Sequence, residues 1–161
     1  MPHTLDRAAP FVAGAHVLFG FPDILFTPAD AFAQLLARQA ETGAEVVLGL
    51  FPAHSPEKMD MVAVADGGAV RRIDIKPTRT DLRDTWIIAT WTPAFTGFLR
   101  AAVERASQPS AQPVEHLGEV LQAAIVDGWA VQSVRFPAGT YRDIGTPEDL
   151  AAAVAEWSAS S

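Results

Sequence analysis

The chain has 161 residues, 49% of them hydrophobic, which suits one globular domain, residues 1–161, with a substantial core. Its 12 Lys and Arg are scattered among 19 Asp and Glu for a formal net charge of −7, so no nucleic-acid backbone and no anionic membrane face is expected as a partner. The absence of cysteine excludes disulfides, thiolate metal sites and cysteine nucleophiles and is what a cytoplasmic protein would show; no apolar run reaches bilayer length and no export signal is visible.

In chain order, AHVLFGF (15–21) reads as a first strand that gives way to Pro22 and Asp23. Thr27 then suits an N-cap, with Pro28 at the first helical position and Asp30 as a capping acid, and the helix is expected from Pro28 to Thr42, ended by Gly43. EVVLGLF (45–51) is a β-branched run of strand length, expected to be buried on both faces as in a parallel sheet. MVAVA (61–65), the turn DGG and AVRRIDI (69–75) read as a hairpin stopped by Pro77. TWIIATW (85–91) is a further strand, and Phe95, Phe98, Leu99 and Val103 recur at helical spacing over 93–106. A polar connector, SQPSAQP, precedes a helix over 114–127 and a strand over 129–136. Thr146, Pro147 and Asp149 then repeat the cap, proline and acid pattern before a last helix. Strands alternating with helices predict an open α/β sheet with one inserted antiparallel hairpin.

Ligands of such sheets collect beyond the carboxyl ends of strands, and Asp23 and Asp143 both fall at such places. Two carboxylates can share one hard cation, because Mg²⁺ takes a few carboxylate oxygens together with waters and substrate phosphates. The alternative is that each acid caps its own turn, and spacing alone leaves both readings open.

The ordered series GFPDILF, IKP (75–77), WIIATW (86–91), LGEVLQAAIVDGW (117–129) and YRDIGTPEDL (141–150) resembles the sugar-1-phosphate nucleotidylyltransferases, the glucose-1-phosphate thymidylyltransferase type, over nearly the whole chain. The resemblance implies a Rossmann-like nucleotidyltransferase domain with a mostly parallel mixed sheet, and a nucleoside triphosphate and a sugar 1-phosphate as substrates. It further implies Asp23 and Asp143 as Mg²⁺ ligands and Lys76 as the contact to the sugar phosphate, against an exposed strand-end cation as the alternative. Glu119 matches an acid placed near the sugar, or is a solvated helix residue. Trp91, with Trp86, lines a base or sugar pocket or packs in the core. The four histidines share no metal spacing.

Several family features have no counterpart here. The glycine-rich G-x-G-T-R-L loop and the proline–lysine pair that hold the triphosphate are absent, and MPHTLDRA matches the helix after the base-contacting glycine, so the chain is expected to be truncated at its amino end and to turn over poorly alone. Ile75 stands where the family has a sugar-binding Glu, and Ile87 where it has Gly. An enzyme of this type is therefore the first expectation and a non-catalytic relic or binding module the second. A metal-dependent glycosyltransferase would need an acid at position 58, where Lys58 stands. An opened sheet edge is expected to pair with another chain as a homo-oligomer.

Overall fold

Six strands form the central sheet of the computed structural model, which describes residues 1–159 and side chains through Glu156. After a short helix α1 (Pro2–Ala8) come β1 (Val17–Gly20) and β2 (Ile24–Thr27), then α2 (Ala31–Thr42), β3 (Val46–Pro52), β4 (Asp60–Val64), β5 (Val70–Ile75) and β6 (Asp84–Trp91). α3 (Pro93–Ala106), α4 (Leu117–Val126), β7 (Val131–Arg135), β8 (Thr140–Asp143) and α5 (Pro147–Ala159) complete the chain. The sheet order is β5-β4-β6-β3-β7, with β1 on the edge of β6 that β3 does not use.

The α/β class and the mixed sheet match the sequence reading, but the balance within the sheet differs. Only β3 and β7 pair in parallel, and the other pairings of the sheet are antiparallel. A parallel neighbour needs a crossover, which α3 and α4 provide on the way to β7. The helix-poor connections over 53–59, 65–69 and 76–83 turn the chain back on itself and deliver antiparallel partners.

Val46 to Phe51 are all buried, as read, and successive residues of β3 serve opposite faces. Val46, Leu48 and Leu50 pack beneath α3 and α4 with Phe95, Leu99, Leu117 and Leu121. Val47 and Phe51 pack beneath α2 with Ala31, Leu35, Ile88 and Phe136. Helices thus cover both faces of the sheet, and no described helix is long and apolar enough to cross a membrane.

Two boundaries moved for identifiable reasons. Thr27 does not cap α2: it ends β2, where its hydroxyl meets that of Thr140 at 2.9 Å, and Asp30 is the N-cap residue instead. α4 starts at Leu117 rather than near Val114 because Glu119 Oε2 accepts the N–H groups of Glu115 and His116 at 2.8 and 2.9 Å, which fixes His116 as the N-cap residue. Thr146 does what its sequence setting predicts, its hydroxyl accepting the Asp149 N–H at 3.1 Å and donating to Asp149 Oδ2 at 2.7 Å.

Candidate functional site

A tight turn places the first acid. Ile24 N–H donates to the Phe21 carbonyl at 3.3 Å, closing the chain over Pro22 and Asp23 between β1 and β2. β2 pairs antiparallel with β8 so that Ile24 faces Asp143, the last residue of β8, and the Ile144 N–H donates to the Asp23 carbonyl at 2.8 Å. Asp143 Oδ1 accepts the Gly145 N–H at 2.8 Å. A Cβ added at Gly145 would stand 3.0 Å from Asp143 Oδ1 and 3.0 Å from Asp23 Oδ2, so both carboxylates border one space that only glycine leaves free. No cluster of three or more His, Cys, Asp or Glu converges among the described residues. A cation held here would have two protein carboxylates and open positions for water and phosphate oxygens, a donor set that suits Mg²⁺ better than metals needing an all-protein cage.

Next to this pair lies a cleft of about 220 Å³, to which Phe21 and Ile24, on either side of Asp23, both contribute. Lys76 and Ile87 line it, together with Asp60, Trp86 and His116. Lys76 has φ 42°, a left-handed backbone that non-glycine residues seldom adopt, and it does so immediately before Pro77. Strain of this kind persists only where the surroundings enforce it, and here it sets an exposed ammonium at the cleft. Ile87 is 2% exposed and belongs to the core on the α2 side, so it narrows the cleft with a branched apolar wall.

Two residues singled out in the sequence do not line the cleft. Trp91 is 3% exposed, donates its indole N–H to Thr96 Oγ1 at 3.0 Å and packs on Phe19 and Phe95, which makes it a core residue that does not line the cleft. Glu119 spends its carboxylate on the amides that begin α4.

Asp60 was missed. The strand was read from Met61, one residue later, and the only signal was a carboxylate beginning the otherwise apolar DMVAV. In the fold its carboxylate lies against the first turn of α4, where a Cβ at Gly118 would overlap it and come within 3.0 Å of Asp60 Cγ. Burial pushes the Asp60 carboxyl above its ordinary range; His116, the Trp86 indole and Lys76 pull it back, and Glu119 adds to the rise. By distance and angle the buried Trp86 Nε1–H completes no hydrogen bond, although it is near enough to Asp60 to favour the ionised form. A carboxyl raised in this way binds its proton more readily in the folded chain. Its share of stability is therefore greatest at acid pH and declines as pH rises from the ordinary carboxylate range through the raised value. Asp60→Asn is expected to raise the melting temperature at neutral pH and to flatten that decline, and melting curves recorded from acid to neutral pH check both.

A family model described as nucleotidyl transferase matches residues 5–160. No curated protein sequence matches the chain. Among solved structures, a Bacillus anthracis protein described as a glucose-1-phosphate thymidylyltransferase, in complex with sucrose, superposes with a TM-score of 0.76 at 14% identity, over 96% of this chain and 59% of its own. The UTP-bound UGPase from Acinetobacter baumannii gives 0.73 at 17% identity, over 97% of this chain and 55% of its own. The inositol-1-phosphate CTP transferase of T. maritima gives 0.69 at 22% identity, over 96% and 59%. The chain thus spans less than two thirds of each of these proteins, and at such identities the likeness is one of fold.

Proposed function

Because the chain belongs to the nucleotidyl transferase family, we propose that it provides the cation-binding acids and the sugar-phosphate cleft for transfer of a nucleotidyl group to a sugar 1-phosphate, with release of pyrophosphate. The observation that carries this reading is the meeting of Asp23 and Asp143 at Gly145, beside a cleft that contains Lys76.

The chemistry asks little proton transfer of the protein. The phosphate of a sugar 1-phosphate is already anionic at neutral pH, and its oxygen attacks the α-phosphorus of a nucleoside triphosphate while the bond to pyrophosphate breaks. The obstacle is the repulsion between two anions and their alignment. Lys76 meets that obstacle with a point charge that neutralises the sugar phosphate, and its left-handed backbone sets where the side chain leaves the main chain beside the cleft. Asp23 and Asp143 hold Mg²⁺, which when bound neutralises phosphate oxygens. The β2–β8 pairing keeps the two acids in register, and the apolar walls of the cleft exclude water from the carbon skeleton.

The test is a titration of Mg²⁺ or Mn²⁺ into the chain and into its Asp23→Ala and Asp143→Ala variants, followed calorimetrically. Each variant should lose affinity by at least about ten-fold, as expected when one of two anionic ligands is removed. Equal affinities in all three proteins would end the reading.

A further inference from the structure

Asp60 has no assigned task in the scheme above. Its side chain has no ion pair among the described residues, its one close hydrogen-bonding neighbour is the Trp86 indole N–H, and it lines a cleft whose remaining walls include Phe21, Ile24, Met59, Ile87 and Leu117. A half-buried carboxylate with so few partners is costly, and the local structure makes room for it: Gly118 gives up a side chain so that the carboxylate can lie against α4. The start of that helix favours a negative charge, and the unpaired indole N–H of Trp86, 4% exposed, lies close behind the carboxylate. These groups fix an acceptor that faces the cleft.

We propose that Asp60 is a specificity-determining residue, accepting a hydrogen bond from a hydroxyl on the carbon skeleton of a phosphorylated sugar or polyol whose phosphate is met by Lys76. The proposal rests on the cleft's assignment to a sugar phosphate. The cleft, at about 220 Å³, is smaller than the roughly 300–1,000 Å³ of sites for drug-sized molecules and suits a single ring. A hydroxyl is favoured over an ammonium group because Lys58 and Lys76 share the cleft with Asp60 and would repel a second cation.

Calorimetric titrations of the whole chain with glucose 1-phosphate, phosphoethanolamine and inorganic phosphate, in the wild type, Asp60→Asn and Lys76→Ala, separate the claims. Glucose 1-phosphate should bind the wild type about ten-fold or more tighter than inorganic phosphate, and phosphoethanolamine no tighter than phosphate. In Asp60→Asn that preference should collapse while phosphate affinity holds or rises, since a negative charge near Lys76 is gone. A purely electrostatic role would tighten both ligands together, and a purely structural one would weaken both; either result overturns the proposal, as would preference for phosphoethanolamine. The Trp86 indole N–H resonance, assigned with Trp86→Phe, should shift with glucose 1-phosphate and stay with phosphate. If Lys76→Ala binds phosphate as the wild type does, the assignment of Lys76 fails whatever Asp60→Asn shows.

Discussion

Gly145→Ala should weaken divalent-cation binding by about 10- to 100-fold, the range found when groups that position metal ligands are altered. The added Cβ would stand 3.0 Å from an oxygen of Asp143 and 3.0 Å from an oxygen of Asp23, tighter than ordinary carbon–oxygen contact. Both carboxylates would have to turn away, and Asp143 would do so against its 2.8 Å hydrogen bond from the Gly145 N–H. The fold should be little affected, because Asp23, Asp143 and Gly145 are all exposed. Calorimetric Mn²⁺ titration beside a thermal melt distinguishes the two quantities. An unchanged melting temperature with lost affinity is the expected pair of results; unchanged affinity would mean that the two acids do not share a cation.

Phe95→Ala should cost about 3–5 kcal/mol of stability, the usual range for an aromatic side chain removed from a packed core. Phe95 is 0% exposed on α3, and its ring lies 5.7 Å from that of Trp91, 5.9 Å from Phe98 and 6.2 Å from Trp129. It therefore joins β6, α3 and the approach to β7, and none of these rings can move into the void without leaving another contact. Urea denaturation should show a lower midpoint with an unchanged slope. A loss below about 1 kcal/mol would mean that the site collapses around the deletion.

The parts of the fold that were legible in the sequence are those whose causes are local. α3 begins at Pro93 and ends at Ala106 as read, because proline at the first helical position and the polar connector after it mark both ends. The β4–β5 hairpin was equally plain from DGG, where Gly67 and Gly68 take φ of 81° and 88°. The β2–β8 ribbon could not be seen this way: ILFT and TYRD are four residues each, and they become strands only through one another. Strand direction was misjudged for the same reason, since burial of a β-branched run does not say which way its neighbours point.

The site divides along the same line. Asp23, Asp143 and Lys76 stand out beside Pro22, Gly145 and Pro77, residues that announce turns. The cleft's polar floor depends on α4 packing over β5 and the head of β4, and Asp60 acquires its surroundings only there.

The ribbon also ties cation binding to the stability of one small piece of structure. The pair is held to the core through Phe26 and Tyr141, both against Phe51, and it joins positions such as Thr27 and Thr140, 113 residues apart. When the ribbon opens, the two acids lose their common register, so the open form has nothing with which to chelate. Occupancy and strand pairing are then one linked equilibrium: a bound cation holds the ribbon shut by the free energy with which it binds, and amide exchange in Ile24–Thr27 slows in proportion.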